Sequence, residues 1–137
     1  ALDIGQQTAE EASRTLQRRF APQIAKQAGA YLNTLTEGRY SGLTLTESLH
    51  LLAGTQDDNL LRDAIWRSDG TVDALYLCAR LAAAQALMPQ TPIILDDALI
   101  RFDDRRLEKA VELLKELGKE RQILLFSCQG REERKAR

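Results

Sequence analysis

The feature that most constrains this chain is Pro92-Ile93-Ile94-Leu95, an apolar run that ends in two adjacent carboxylates, Asp96-Asp97. A short β-branched run bounded by turn residues predicts a fully buried strand over Ile93–Asp96. A helical pattern follows over Asp104–Gly118, with Leu107, Ala110, Val111, Leu114 and Leu117 on one face and Glu112, Lys115, Glu116 and Lys119 on the other. Gln122–Ser127 repeats the buried-strand pattern. Upstream, Val72–Met88 reads as a helix with Leu75, Cys78, Ala79, Ala82 and Ala86 inward, and its alanines allow close approach to a sheet. Helix, strand, helix, strand implies a parallel pair joined by a right-handed crossover, so the fold class is α/β.

The N-terminal third is organised differently. Thr8-Ala9-Glu10-Glu11 reads as a capping box, which predicts a helix from about Ala9. Ala12, Leu16, Phe20 and Ile24 recur every four residues, and Tyr31, Leu32 and Leu35 continue the stripe. Pro22 is expected to kink this helix or to open a second one at its first position. Gly38 fits a C-terminal stop. Residues 1–38 therefore form a helical arm, either an amphipathic helix packed on the domain or the root of a coiled coil. Alternation over Arg39–Leu45 and Leu49–Ala53 predicts a β-hairpin turning near Glu47-Ser48. Gly54–Asn59 reads as a loop and Leu61–Trp66 as a short third strand. Residues 39–137 make one lobe with this small antiparallel piece at its start.

With 137 residues and 44% apolar content the chain is one domain, or one lobe of a larger one. Nineteen basic residues nearly balance twenty acidic ones, so no global positive field argues for nucleic acid. Arg131–Arg137 is basic-rich but contains Glu132 and Glu133, and reads as a solvated helix end. No run of eighteen apolar residues predicts a membrane span, and no secretory signal pattern opens the sequence. Cys78 and Cys128 read as buried thiols of a cytoplasmic protein rather than a disulfide or a metal pair. His50, the one histidine, has no cysteine or histidine at zinc-ligand spacing.

Two segments carry chemistry. Magnesium takes hard oxygen ligands and keeps several waters, which one carboxylate at a strand end satisfies; Asp96 is that candidate. Asp97 points elsewhere from the same strand end and is the candidate base or water-orienting group. Read alone, the pair more simply caps a turn after the strand. Ser68-Asp69-Gly70-Thr71 offers a hydroxyl, a flexible backbone and a helix N-terminus, which suits a phosphate or a plain helix cap.

The order of these motifs resembles the C-terminal lobe of an ABC-type coiled-coil ATPase head, of the SMC, SbcC, RecN and YhaN-like kind. The resemblance covers roughly Gln23 to the end. It is strongest over Ser68–Gln129, where the serine–glycine–threonine loop, Leu75-Tyr76-Leu77 with Ala79-Arg80-Leu81-Ala82, and Ile94-Leu95-Asp96-Asp97-Ala98-Leu99 ahead of Phe102-Asp103-Asp104 match a YhaN-like pattern.

The resemblance implies ATP and Mg2+ as cofactors, with Asp96 on the metal and Asp97 as the catalytic acid, where relatives mostly carry Glu. It places Ser68, Gly70 and Thr71 in a signature loop that acts on nucleotide held by a partner head. It places Asp103 on the final acid of the D-loop, with Asp104 as a cap of the following helix, and Gln129 where a switch histidine stands. It implies three partners: an N-terminal lobe carrying the phosphate loop, a second head in a homodimer, and DNA. No G-x-x-x-x-G-K-[ST] occurs in these 137 residues, so half of an ATP site is absent from them. Arg67 and Asp69 depart from the usual signature loop, and Gln129 carries no charge. The implied function is the C-terminal half of an ATP-hydrolysing head in DNA repair or chromosome maintenance. The alternative is a divergent, non-hydrolysing lobe that dimerises or scaffolds DNA.

Overall fold

The computed structural model describes residues 2–45, 51–55, 58–63 and 69–136. Helix α1 spans Leu2–Leu35. An antiparallel sheet of β1 (Tyr40–Leu45), β2 (Leu51–Thr55) and β3 (Asp58–Asp63) follows in the order β1-β2-β3. Then come α2 (Asp69–Leu87), β4 (Ile93–Asp96), α3 (Asp104–Leu117), β5 (Ile123–Phe126) and α4 (Gly130–Ala136).

The arm begins at Leu2 rather than near Ala9, and it runs through Pro22 as one helix, so Pro22 does not open a second one. Proline removes one amide donor and strains one turn. Packing holds the turns beyond it: Ala28, Tyr31, Leu32 and Leu35 are buried, and the helix lies against α2 and β1. The stop is where Gly38 predicts it. Glu37 and Gly38 take positive φ of 50° and 85°, and the Gly38 amide donates to the Asn33 carbonyl at 2.9 Å.

The hairpin pairs Leu45 with Leu51 and Thr44 with Leu52. Its expected turn at Glu47-Ser48 lies outside the described residues. The third strand starts at Asp58, inside the expected loop, and pairs with β2.

In the C-terminal half β4 and β5 are parallel, in register from Ile93↔Ile123 to Asp96↔Phe126. Helix α3 buries Leu107, Ala110, Val111 and Leu114, as its periodicity requires. Helix α2 buries more than its predicted face: Ala74, Leu77 and Leu81 join Leu75, Cys78 and Ala82, because α1 covers it as well. Arg121 is also buried. Its guanidinium donates to the Met88 carbonyl at 2.6 Å and to the Thr91 carbonyl, tying the end of α2 to the start of β5.

The expectation of two fully buried strands is wrong. Leu95 is 5% exposed, but its neighbour Ile94 is 66% exposed. On β5, Leu124 and Phe126 are also exposed. Helices cover one face of this sheet, and the described residues put nothing on the other.

Candidate functional site

The carboxylates stand at the C-terminal end of β4, and both are exposed. Asp97 leaves the strand with φ 46°, a left-handed conformation that asparagine and aspartate tolerate best among residues with a Cβ. Two backbone bonds hold it there. Its amide donates to the Phe126 carbonyl at 3.0 Å, which prolongs the β4–β5 ladder by one step. Its Oδ1 accepts from the Cys128 amide at 2.9 Å. Cys128, expected to be buried like Cys78, is exposed in the loop after β5. Its side chain also hydrogen-bonds Asp97, which pushes that thiol above its ordinary value. One carboxylate oxygen is thus fixed by the loop after β5. Strain of this kind in a residue with a Cβ is characteristic of functional sites.

Asp97 and Asp96 open onto a groove of about 260 Å³. Its other walls include Asp73, Tyr76 and Arg80 of α2 and Arg101. Among the described residues no three acids, cysteines or histidines cluster closely enough to hold a metal ion. Asp96 would be a single protein ligand, which suits magnesium more than zinc or calcium.

Gly70 and Asp103 lie in a second cluster, around the segment that follows Asp97. A Cβ on Gly70 would meet the Arg101 carbonyl at 3.0 Å and Arg106 Nη1 at 2.9 Å. Glycine is therefore required for α2 to begin against this segment. Asp73 pairs with Arg101 at 3.5 Å across the same contact. Asp103, not Asp104, caps α3: its Oδ1 accepts from the Arg106 amide at 2.8 Å. The expected cap at Asp104 instead sits exposed in the first turn. Thr71 is buried near the start of α2 and has a polar or ionic contact there. Ser68 lies outside the described residues.

Gln129 is half-buried in the loop that holds Asp97. Its Oε1 accepts from Arg131 Nε at 2.6 Å. Arg131 Nη2 in turn donates to the Ile100 carbonyl at 2.8 Å. Sequence reasoning missed Arg131, because a basic residue in a run of alternating charges looks solvated. The missed signal is its position two residues after Gln129. The segment 97–103 therefore joins both clusters: Asp97 and Ile100 face the β5 loop, and Arg101 and Asp103 face the starts of α2 and α3.

No protein-family model matches the chain. It is 31% identical over 110 residues to the uncharacterized protein YhaN of Bacillus subtilis strain 168, an alignment that takes in 78% of this chain and 11% of that protein. The chain thus spans about a tenth of the length of this curated relative. Among solved structures it is similar to a chain from a study of ATP-driven dimerization and DNA-stimulated activation of SMC ATPases, at 19% identity and TM-score 0.74, over 90% of this chain and 78% of that one. It is also similar to an Smc head domain from Pyrococcus furiosus, with an extended coiled coil and bound to the C-terminal domain of ScpA, at 19% identity and TM-score 0.69, over 98% and 35%. An SMC head domain from Thermotoga maritima matches at 15% identity and TM-score 0.65, over 91% and 44%. The chain has the α/β fold of the C-terminal portion of these SMC head domains. Among the described residues no helix is long and apolar enough to cross a membrane.

Proposed function

We propose that this chain is the C-terminal half of an ATP-hydrolysing head in a coiled-coil ATPase of DNA repair or chromosome maintenance. The observation that carries the reading is Asp97: a carboxylate in a strained backbone position at the end of a core strand, with one oxygen pinned by Cys128 and an open groove beside it. That arrangement suits a group that orients or deprotonates a water. Asp96, at the strand end itself, is the ligand for magnesium. The bound Mg-ATP would supply the phosphoryl group and the charge that neutralises its transfer. Ser68, Gly70 and Thr71 would act on a nucleotide held by the partner head, with Asp103 at the head–head contact and Gln129 near the terminal phosphate. Residues 1–38 form the root of the coiled coil, and residues 39–137 the lobe.

The uncovered face of β4 and β5 supports a missing partner. Parallel sheets are found almost only with both faces covered. Ile94, Leu124 and Phe126 form an apolar surface that an N-terminal lobe with the phosphate loop would bury. That lobe is on the same chain or another. The chain's likeness to a protein studied for ATP-driven dimerization and DNA-stimulated activation favours a homodimer of heads acting on DNA, and such a protein would work in the cytoplasm.

A specific observation favours the second reading, a non-hydrolysing lobe that only dimerises or scaffolds. Asp103 is engaged as a cap and Thr71 is buried, so two proposed contact residues already have structural roles. Mixing two inactive parent proteins separates the readings. Ser68→Arg blocks the partner-facing loop and Asp97→Asn the acid. One mixed dimer keeps one complete site, so turnover recovers on mixing if the lobe hydrolyses across heads. A parent protein that pairs its heads with nucleotide but shows no turnover, alone or in any mixture of variants, leaves the scaffolding reading.

A further inference from the structure

Gln129 stands beside the Asp97 site, yet a glutamine side chain has two faces of opposite character. Its oxygen accepts and its nitrogen donates. Presented to a phosphate, the oxygen repels and the NH2 binds. What sets the face is the neighbour. A guanidinium has donors only and no acceptor, so the atom that meets it must be oxygen. Arg131 Nε lies 2.6 Å from Gln129 Oε1. This chemistry, not an arbitrary choice of rotamer, fixes the amide: the oxygen is taken and the Nε2 is left over. No described residue accepts from that Nε2.

Arg131 is itself held. Its Nη2 donates to the Ile100 carbonyl at 2.8 Å and to the Leu99 carbonyl at 3.5 Å, both in the segment after Asp97. Two carboxylates stand near it at longer range, Asp104 Oδ1 at 3.6 Å from Nη1 and Glu132 Oε1 at 3.7 Å from Nε. Glu132 is only 3% exposed, and its Oε2 has no hydrogen-bond partner among the described residues. These acids keep the guanidinium in place, but its shortest bonds go to Gln129 and Ile100. The cation therefore links the loop after β5 to the segment after β4.

We propose that Arg131 is a positioning residue: by occupying the amide oxygen of Gln129 it commits that side chain to present its NH2 to the terminal phosphate of a bound nucleoside triphosphate. The proposal rests on the ATPase reading above. It also accounts for how an uncharged residue serves beside Asp97. The positive charge sits on Arg131, two residues further along, and polarises the amide that it holds.

The test is a double-mutant cycle in the full-length parent protein. The readout is the preference for a non-hydrolysable ATP analogue over ADP, both with magnesium, measured by equilibrium binding. Arg131→Ala lowers that preference about tenfold, the size of one hydrogen bond to a charged group. Gln129→Leu does the same. The two changes together cost no more than either alone, within about twofold, because one interaction is lost in each case. Arg131→Lys, which keeps a donor for the amide oxygen, recovers part of the loss. Gln129→Glu pairs well with Arg131 but offers no NH2, and it lowers the preference at least as far as Gln129→Leu. Additive losses from Arg131→Ala and Gln129→Leu, or a Gln129→Glu protein that keeps its preference, overturn the proposal while leaving the ATPase reading intact. A parent protein that binds neither nucleotide overturns both.

Discussion

The two faces of the β4–β5 sheet are made from the same kinds of residue and meet opposite surroundings. On one, Leu95 packs into a core with Leu99, Phe102 and Leu107. On the other, Ile94 and Phe126 remain open at 66% and 57% exposure. A strand with isoleucine on both sides is written for burial on both sides. The described residues supply cover for one. The difference teaches that the apolar run is written for more cover than the described residues give it, which is what the proposed second lobe would supply.

The comparison is broken most directly by substituting one residue on each face. Leu95→Ala should destabilise the chain by about 2–5 kcal/mol, the range for a buried leucine that leaves a cavity. Ile94→Ser should change it by no more than about 0.5 kcal/mol, as for a surface site. Denaturant unfolding of both variants checks this. Equal losses would mean that the open face is covered in solution.

The next effect is smaller and sharpens how the covered side is fixed to the site. Gly70→Ala pushes a methyl group against the Arg101 carbonyl, which cannot retreat without moving the segment after Asp97. A loss of about 1–3 kcal/mol is expected from such overpacking, measured by thermal unfolding. A variant as stable as the parent would show that α2 starts further from this segment than the contact implies. Smaller again, Asp103→Ala removes the cap of α3 and should cost about 1 kcal/mol. Asp104→Ala should cost less, since Asp104 does not cap.

The effect that is smallest at neutral pH concerns the two thiols, one buried and one exposed. Burial pushes the Cys78 thiol from 9.0 up to about 12. The folded state therefore holds its proton more tightly than the unfolded one, so stability from this group is intact below pH 9.0 and falls as pH rises toward 12. Cys78→Ala should lack that part of the alkaline decline. At pH 8 an alkylating reagent should modify exposed Cys128 first, more slowly than a free thiol because its bond to Asp97 holds the proton. Cys78 should react only on unfolding.

Much of this was legible in the residues. The parallel pair, α3 and its inward face, and the stop at Gly38 follow from period and punctuation. Burial was not, because a sequence shows what a strand prefers and not whether the preference is met; hence Ile93–Asp96 read as fully buried. Pro22 left two outcomes open, and the structure takes the continuous helix: the local cost is real, but packing of the following turns against α2 outweighs it. At the site, Asp96 and Asp97 announced themselves by position. The capping role of Asp103 was assigned to its neighbour, since Asp103-Asp104 offers two equivalent acids and only φ and ψ choose. Arg131 was invisible because its partners, Gln129 and Ile100, come together only when β4 and β5 pair.

The central claim, that Asp97 serves a nucleotide site of which this chain holds half, is tested most directly by turnover and Mg-ATP affinity of Asp97→Asn and Asp96→Asn in the full-length parent. The amide at 97 keeps the shape and loses the charge that orients or deprotonates water. Turnover should fall about 10²-fold or more with affinity nearly unchanged, the loss expected of a general base. Asp96→Asn should instead weaken magnesium-dependent binding. Small and equal effects of the two changes on turnover would contradict the account and leave the pair as the cap of a turn.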